Sequence, residues 1–555
     1  MSRAVASDLW WKSAIVYCLD VEAYLDWDGD GTGDLAGVTE RIDFLAGMGV
    51  TCLWLMPFYP TPNLDDGYDV TDYYGVDRRL GSLGDFVVLV RTAKDRGMRI
   101  IVDLVVNHTS DRHPWFRAAR SSPKNRFRDF YVWRDEPGPE PDAVVFPDAE
   151  DSVWTFDERS GQWYLHHFYG HQPDLNIANP AVRDEIDRIA GFWLELGVDG
   201  FRVDAVPFLL QTGEGEDGQM TLDPHGLLKE LRSFIGRRRG DALLLGEVNL
   251  PSKDLVAYFG DGPGDEMQML FAFPVMQAMY LSMARQDSRP LRKALDRLPP
   301  IPSECQWANF VRNHDELTLD QLTDKERAEV FEAFGPDPDM QLFGRGLRRR
   351  LPPMLDGDER RIRLAYSLLF SLPGTPVLFY GEEIGMGENL AVDGRLSVRT
   401  PMQWTDDRNA GFSSAAPSRL FRPVVEGPYG PMAVNVADQR RDKDSLLNWF
   451  ERLIRRRRET PELGMGTGTL LDAGDRAVLA HRVDHDGVAV LALHNLADEP
   501  RQVRLDLGDL DGGECHDLFD LGATPRMSGG MLELKLDAFA FRWFRIRPAD
   551  SRWAP

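Results

Sequence analysis

The sequence has few cysteines and a deficit of basic residues. Only four of its 555 residues are cysteines, and no two of them form a Cys-x-x-Cys pair. This spacing argues against a zinc site or a redox pair. Asp and Glu number 89 against 64 Lys and Arg, so the formal net charge is −25. Such a charge argues against partners that need a basic face, namely nucleic acid and an anionic membrane surface, and is typical of a soluble protein.

The sequence also lacks a long uninterrupted apolar run. Its most apolar late stretch, Leu364–Tyr380, is broken by Pro373, Gly374 and Pro376, so we do not expect it to span a membrane. The first residues, MSRAVASDLWWKSAIVY, contain no signal-peptide stretch. We therefore expect a soluble, cytoplasmic protein, and its length predicts two or three domains.

Eight apolar, strand-like runs alternate along the chain with amphipathic helical patterns. This alternation predicts an α/β fold, a (β/α)₈ TIM barrel. An open doubly wound sheet has the same count, but no GxGxxG loop follows the first strand. The predicted strands are Ala14–Leu19, Thr51–Met56, Arg99–Val105, Gly200–Val203, Leu243–Leu245, Met269–Phe273, Asn309–Val311 and Pro376–Phe379. The predicted helices are Val38–Met48, Leu83–Arg96, Ala181–Leu196, Gly226–Arg238, Glu359–Leu372 and Ser445–Arg458.

The connections between the predicted strands differ greatly in length. The one after the third strand is long enough to form a small inserted domain. Long segments also follow the seventh and eighth strands, at 317–357 and 382–430, and we expect all three connections to overhang one face. After Pro461, alternating runs with Gly and Asp turns predict an all-β sandwich. The predicted organisation is a barrel at 1–108 and 176–460, an inserted domain at 109–175 and a C-terminal β domain at 461–555.

Four short segments join an apolar run to a polar tip. Strands of a parallel barrel all end on the same face, so these tips are expected to converge on one pocket. They supply three carboxylates, two histidines and an arginine. The segments are DLVVNH (Asp103–His108), GFRVDAVP (Gly200–Pro207), LLGEV (Leu244–Val248) and FVRNHDE (Phe310–Glu316), and the side chains are Asp204, Glu247, Asp315, His108, His314 and Arg202.

Two of these carboxylates have opposite surroundings. Arg202 lies two residues before Asp204 on the same side of the strand, which predicts a lowered pKa and an ionised nucleophile. Glu247 follows an apolar run, which predicts the raised pKa of a general acid. Alone, an Asp at a strand end is more often a loop cap and a His more often a core polar group. Together the pattern is typical of glycosidic bond chemistry, in which retaining enzymes hold two carboxylates about 5–5.5 Å apart.

A further motif, DWDGDGTGD, follows the first predicted strand at residues 26–34. Carboxylates at alternate positions, with glycines for tight turns, suit an oxygen cage for Ca²⁺. The twelfth position is Gly37 rather than glutamate, so the loop is not an EF-hand. We expect a structural cation here, because the loop is remote from the four segments. The alternative is a solvated acidic turn, and no organic cofactor is expected.

These segments resemble those of a known family. The chain resembles the α-amylase family of retaining glycoside hydrolases, glycoside hydrolase family thirteen, whose four core segments match the four described above. QPDLN at 172–176 and GTPVLFYGEE at 374–383 match two supplementary segments, and the resemblance spans residues 10–460.

The resemblance implies a role for each matching residue. Asp204 is expected to be the nucleophile, Glu247 the acid/base and Asp315 the transition-state stabiliser. The residues expected to bind the substrate are Asp65, Tyr68, His108, Gln172, Arg202, His314 and Arg399. The expected calcium ligands are Asp26, Asp28, Asp30, the carbonyl of Thr32, and Asp34.

Several stretches resemble the members of the family that isomerise maltose to trehalose, among them PFYPTPNLDDGYDVTDY, RNHDELTLDQLTDKER and RTPMQWTDDRNAGFS. This resemblance implies small α-glucosides such as maltose or trehalose as substrates, intramolecular glucosyl transfer with some hydrolysis, and a water-excluding lid. Segments 246–252 (GEVNLPS) and 211–223 (QTGEGEDGQMTLD) depart from that branch. A hydrolytic α-glucosidase, an oligosaccharide amylase or a transglucosidase therefore stays an alternative. A non-catalytic binding subunit is a remote one, because all three carboxylates are present.

Other features concern the surface and the core. The basic run Arg345–Arg350 is expected to be a solvated face, with pairing to a second subunit in a homo-oligomer as the alternative. Cys18 and Cys52 are expected in core strands. Trp543 is expected to be a core residue, with a sugar-binding platform as the alternative.

Overall fold

The computed structural model describes residues 9–138, 144–211, 224–511, 513–520, 525 and 527–547. Eight parallel strands form a closed barrel in which each strand lies beside its neighbours in chain order. Closure occurs where the first strand pairs with the eighth, Val16 lying opposite Val377. The barrel confirms the predicted fold and excludes the open sheet. Its strands are Val16–Leu19, Cys52–Leu55, Arg99–Leu104, Gly200–Val203, Leu243–Gly246, Met269–Phe271, Gln306–Phe310 and Thr375–Phe379.

The barrel strands are buried on both faces, which is why they appear in the sequence as continuous apolar runs. All residues of the first, second, fourth and fifth strands are buried. Helices cover the outer face. Local sequence determines where some of them begin and end. Ser82 and Asp85 form a capping box at the start of one helix, and Gly197 ends another in the left-handed conformation, at φ 105°.

The α-helices of the barrel region follow its strands in turn. They are Val21–Tyr24, Leu35–Glu40, Ile42–Met48, Leu83–Asp95, Pro114–Ala119, Pro180–Leu196, Val206–Gln211, Pro224–Arg238, Ser252–Leu255, Phe273–Arg285, Arg289–Arg297, Asp324–Phe334, Leu351–Met354, Glu359–Ser371, Val436–Arg441, Leu446–Arg458 and Glu462–Met465.

Two long connections carry small sheets of their own. The connection after the third barrel strand holds an antiparallel sheet of Trp133–Arg134, Gln162–Leu165 and Trp154–Asp157. The connection after the seventh holds Leu317–Thr318, Gly346–Leu347 and Gln341–Leu342. The predicted domain boundaries stay predictions.

The C-terminal part is all-β, as predicted. Two antiparallel sheets enclose a core of their own, which includes Leu491, Val503 and Phe544. Trp543 is buried and donates its indole N–H to Ser367 Oγ on a barrel helix at 2.9 Å, so it is a core residue as expected. One sheet contains Thr467–Leu471, Val478–His485, Val488–Asn495, Phe541–Arg547 and Glu514–Asp517, and the other Arg501–Asp506, Met531–Leu536 and Met527–Ser528.

All four cysteines are free and buried, which confirms the prediction that Cys18 and Cys52 lie in the core. Within the described ranges, every helix is too short or too polar to cross a bilayer.

The prediction for the basic run was wrong. Arg350 is buried and donates to the carbonyls of Tyr380 and Val398, at 2.8 and 2.6 Å. Arg349 pairs with Glu388 at 2.9 Å, and Arg345 pairs with Glu316 at 3.1 Å. The run therefore joins the connections after the seventh and eighth strands instead of facing solvent, a role that depends on tertiary contacts that local sequence does not reveal.

Candidate active site

The C-terminal ends of the fourth and fifth barrel strands bring Asp204 and Glu247 to one guanidinium. Arg202 Nη1 lies 2.5 Å from Asp204 Oδ1, and Arg202 Nη2 lies 2.5 Å from Glu247 Oε2. Arg202 also pairs with Asp103 at 2.5 Å, and it is 1% exposed. Because a buried guanidinium is a rigid planar fork, it fixes the separation and orientation of the two carboxylates.

The residue after Asp204 has an unusual backbone. Ala205 has φ 50°, a left-handed conformation that is uncommon for a residue with a side chain. Its amide donates to Glu247 Oε2 at 3.2 Å. The turn thus links the end of the fourth strand directly to the carboxylate of the fifth, and strain of this kind is concentrated at functional sites.

The pKa of Glu247 behaves as predicted, whereas that of Asp204 does not. Burial raises the pKa of Glu247 to about 7, with repulsion from Asp204 and Asp315 adding to the effect and Arg202 opposing it. Burial also raises the pKa of Asp204, to about 6, despite the opposing charge of Arg202. The predicted lowering at Asp204 was therefore wrong, because a neighbouring arginine is visible in the sequence but the desolvation of the strand end is not.

Asp315 is the most strongly ionised carboxylate of the group. Burial favours its neutral form, but His314, Arg395 and Arg399 hold the pKa of Asp315 well below its usual range. Arg395 Nη1 lies 2.6 Å from Asp315 Oδ1, and Arg399 Nη2 lies 3.0 Å from the same oxygen. The site therefore keeps a fixed negative charge beside two titrating carboxyl groups.

A layer of neutral polar side chains surrounds this charge. The Tyr68 hydroxyl lies 2.7 Å from His314 Nε2, and the two rings are stacked. Burial lowers the pKa of His314 to about 4 and lowers that of His108 as well, so both imidazoles are neutral near pH 7. His108 Nε2 donates to the Tyr68 carbonyl at 3.1 Å, and Gln172 Nε2 donates to Asp65 Oδ2 at 2.9 Å.

One cavity of about 360 Å³ collects most of these groups. Six of the ten predicted catalytic and substrate-binding residues line it. The other four, Gln172, Arg202, His314 and Arg399, are buried behind its wall and contact residues that line it. The six lining residues are Asp65, Tyr68, His108, Asp204, Glu247 and Asp315. The departing segment 211–223 lies outside the described residues except for Gln211.

The prediction missed two arginines of this cavity. Arg395 bridges Asp65 and Asp315, at 2.6 Å from each, and lies over the ring of Phe146. Arg345 also lines the wall and pairs with Glu316. Arg395 precedes the matched Arg399 by four residues, so its closeness to that motif could have identified it. Arg345 belongs to the basic run that was predicted to be a solvated face, and no local pattern placed it at the cavity.

The wall of the cavity also contains apolar side chains and a polar network. Its larger apolar lining residues are Val144, Val145, Phe146, Phe168, Phe208, Leu250 and Phe273. Asp320 accepts hydrogen bonds from Asn249 Nδ2 at 2.8 Å and from Gln277 Nε2 at 3.0 Å. Asn249 follows Glu247 by two residues, so the network ties the loop that carries Glu247 to the connection after the seventh strand.

The predicted cation loop gathers three of its five proposed ligands. Oxygens of Asp26, Asp28 and Asp34 lie within 4.8 Å of one another. Asp30 is exposed and accepts the Thr32 amide at 2.8 Å, so its carboxylate is outside this group. Gly31, at φ 109°, has no room for a side chain, because a Cβ would lie 2.0 Å from the Arg419 carbonyl oxygen. Three convergent carboxylates on a tightly turned loop fit a hard cation such as Ca²⁺.

Two models of known families match most of the chain. "Alpha amylase, catalytic domain" matches residues 21–333 and 348–466. "Sucrose hydrolase-like, C-terminal domain" matches residues 487–545.

The chain also matches curated relatives over nearly their full length. The chain is 42% identical to a trehalose synthase of Pimelobacter sp. (strain R48), over 98% of this chain and 97% of the relative. It is 43% identical to a protein named "Trehalose synthase/amylase TreS" of Mycolicibacterium smegmatis, over 99% of this chain and 95% of the relative. Among solved structures it is similar to the trehalulose synthase MutB of Pseudomonas mesoacidophila MX-45. The TM-score is 0.76 and the identity 28%, over 97% of this chain and 99% of that one.

Proposed function

The chain belongs to the α-amylase family of retaining glycoside hydrolases, and from this premise we propose that it isomerises maltose to trehalose, with some hydrolysis. The observation that carries the proposal is the binding of Asp204 and Glu247 to one buried Arg202 at a cavity whose wall includes apolar side chains. The pair provides glycosidic bond cleavage with retention. The wall provides the exclusion of water that transfer requires.

In the first step, Glu247 gives its proton to the glycosidic oxygen while an oxygen of Asp204 attacks the anomeric carbon. The bond from that carbon to the oxygen breaks, glucose is released within the cavity, and a β-glucosyl ester forms on Asp204. Asp315, fixed as an anion by Arg395 and Arg399, stabilises the positive charge that develops on the sugar.

In the second step, the released glucose turns and presents its anomeric hydroxyl to the anomeric carbon of the glucosyl group bound to Asp204. Glu247, now a carboxylate, takes the proton of that hydroxyl as the new carbon–oxygen bond forms and the bond to Asp204 breaks. The product has an α,α-1,1 linkage, and both carboxyl groups return to their starting forms. When water attacks in place of glucose, the same step gives hydrolysis, and the balance depends on how well the outer cavity holds the acceptor.

The product mixture tests this proposal. Purified protein is incubated with maltose, and trehalose and glucose are resolved at early times. We expect trehalose to be the main product and glucose a minor one. Glucose as the only product would contradict the isomerase function and identify an α-glucosidase of the same family.

The carboxylate of Asp320 is expected to control the balance between transfer and hydrolysis. In Asp320→Asn, the acceptors for Asn249 and Gln277 are altered while Asp204 and Glu247 stay in place. We expect the ratio of glucose to trehalose to rise about tenfold, corresponding to about 1.4 kcal/mol of acceptor binding, while maltose consumption changes less. The ratio is read from the same chromatogram.

A matched control for Asp320→Asn is Asp324→Asn. Asp324 is an exposed carboxylate at the start of the next helix and does not line the cavity. An equal change in both variants, or an unchanged ratio in Asp320→Asn, would contradict the assigned acceptor-side role.

The two titrating carboxyl groups predict a bell-shaped pH profile for kcat/KM on maltose. Glu247 must be protonated for the first step, so activity falls as pH rises through its pKa of about 7. Asp204 must be ionised, so activity falls as pH decreases through its pKa of about 6. Because the two carboxyl groups interact, the two apparent pKa values of the profile describe the pair and not either residue alone. A flat profile between pH 5 and 8 would contradict the assignment.

We also propose that Asp26, Asp28 and Asp34 hold a structural Ca²⁺, with Asp30 and the Thr32 carbonyl completing the set. The loop contacts a segment after the eighth barrel strand, where Gly31 accepts the Phe421 amide at 3.0 Å and Asp26 accepts the Ser413 hydroxyl. A bound ion would hold this contact in place. The predicted cytoplasmic location and homo-oligomeric state stay predictions.

Removing the ion is expected to destabilise the protein. A ligand at a hundredfold excess over its Kd contributes about 2.7 kcal/mol. The unfolding entropy of a chain of 555 residues is about 1.2 kcal/mol/K, so EDTA should lower the melting temperature by roughly 2 °C. Asp26→Ala should show the lower temperature without EDTA and no further response to it. Asp43→Ala, an exposed carboxylate elsewhere on the surface, is the control. An EDTA response as large in Asp26→Ala as in the unaltered protein would contradict the site.

A further inference from the structure

A second cavity, of about 260 Å³, lies at the opposite end of the barrel from the catalytic groups. It is bounded by residues that precede or begin the first three strands, including Ser13, Thr51 and Arg99, and by the end of the last barrel helix with the segment after it. No residue of this cavity belongs to the site described above. Its chemistry is set by two arginines of that helix, Arg457 and Arg458.

Arg457 is a buried cation that has no counter-charge among the residues that the structure describes. It is 3% exposed, and its guanidinium donates to the carbonyl oxygens of Phe370, at 2.9 Å, and Gly374. Throughout the described ranges it forms no ion pair with a carboxylate. Burial alone lowers the pKa of Arg457, to about 9, with no carboxylate opposing the effect. A buried charge is normally paired, so this one calls for an anion.

The remaining charges around the cavity do not supply that anion. Arg99 is paired with Asp199 at 3.3 Å and Asp241 at 2.7 Å, and both of these carboxylates also pair with Arg239. Two arginines thus balance two aspartates. Arg458 is exposed and, in the part of the chain that the structure describes, has no carboxylate partner either. The cavity therefore carries an excess positive charge on a chain whose formal net charge is −25.

A purely structural role for Arg457 explains part of the arrangement. Phe370 lies in the last turn of the helix Glu359–Ser371, and a cation there interacts favourably with the negative end of the helix dipole. That interaction accounts for the hydrogen bond to Phe370, and the Gly374 carbonyl just beyond the helix is a second acceptor. It does not account for a neighbouring Arg458 that has no carboxylate partner among the described residues, or for the open volume that both arginines line.

We propose that this cavity binds a small tetrahedral oxyanion of the phosphate class. Guanidinium groups bind such anions through paired N–H donors. The Thr51 hydroxyl oxygen accepts the Ile15 amide at 2.8 Å, so its own proton is free to be donated to the anion. The bound anion neutralises Arg457 and joins the barrel to the segment that leads into the C-terminal domain.

Thermal unfolding with titrated anion tests the proposal. Melting temperatures are measured for the full chain in sodium phosphate, sodium sulfate and sodium chloride at equal ionic strength and constant free calcium. A parallel series with glucose 1-phosphate distinguishes free phosphate from a phosphorylated sugar as the source. We expect a saturable rise with phosphate and sulfate in the millimolar range that exceeds the chloride response.

Three variants locate the effect. Arg458→Gln, an exposed substitution, should weaken the apparent phosphate affinity at least fivefold, and Arg457→Met should abolish the saturable response. Arg455→Gln, an exposed arginine of the same helix that does not line this cavity, should respond like the unaltered protein. Isothermal titration with phosphate gives the affinity directly, and maltose turnover in Arg458→Gln should be unchanged.

Two outcomes would overturn the proposal. The first is an equal response to phosphate and chloride in the unaltered protein. The second is an identical phosphate affinity in Arg458→Gln, Arg455→Gln and the unaltered protein, which would reduce the effect to the general stabilisation that such salts give. If Arg457→Met does not fold, the comparison of Arg458→Gln with Arg455→Gln still decides the matter.

Discussion

Asp204→Asn is expected to lower maltose turnover by about 10⁴-fold or more. Asparagine has nearly the same shape as aspartate, but its amide oxygen cannot form the glucosyl ester. Arg202 keeps its pairs with Asp103 and Glu247 in the variant, so the framework of the site should survive. The loss should therefore appear in kcat, with a melting temperature close to that of the unaltered protein.

The nucleophile can also be identified directly. A fluorinated glucosyl fluoride forms an ester that hydrolyses slowly, and peptide mapping should locate one such sugar on Asp204. Asp320→Asn, which alters another carboxylate of the same cavity, serves as the control and should still be labelled. Turnover by Asp204→Asn within tenfold of the unaltered protein, or a label on a different residue, would remove Asp204 from its proposed role.

Glu247→Gln is expected to lower maltose turnover by about 10²–10⁴-fold, the usual contribution of a general acid. The size of the loss should depend on the leaving group. Released glucose needs a proton, whereas a nitrophenolate does not, so formation of the glucosyl ester from a nitrophenyl α-glucoside should be affected far less. The alkaline limb of the pH profile should disappear for that substrate, because the group with a pKa of about 7 has been removed.

Anion rescue provides the control for Glu247→Gln. Azide attacks the glucosyl ester without needing a general base, so added azide should restore turnover of the nitrophenyl substrate and yield α-glucosyl azide. It should not restore Asp204→Asn. An equal loss on maltose and on the nitrophenyl α-glucoside, with no response to azide, would show that Glu247 is not the acid/base.

The barrel could be predicted from the sequence because its strands are short apolar runs with helices between them. The ends of the strands were predicted less accurately. The seventh strand was predicted at Asn309–Val311 and begins at Gln306. Gln306 is buried but polar, so the apolar pattern did not include it. The first predicted helix, Val38–Met48, is two helices that meet at Arg41.

Asp204, Glu247 and Asp315 could be proposed as catalytic residues because each follows a strand that the local pattern reveals. What the pattern could not reveal were contacts between distant segments. Arg395 meets Asp65 across 330 positions of the chain, and Arg350 is buried against carbonyls of two later segments. The predicted direction of the pKa shift at Asp204 was wrong for the same reason. Burial is a property of the whole barrel, and here it outweighs the nearby arginine.

The most direct test of isomerisation within one cavity is an isotope experiment. The protein is incubated with unlabelled maltose and an excess of isotopically labelled free glucose, and trehalose is analysed by mass spectrometry at early times. If the released glucose stays in the cavity and is recaptured, the trehalose should be almost entirely unlabelled. Trehalose carrying label in one ring in proportion to the free glucose, or no trehalose at all, would contradict the account.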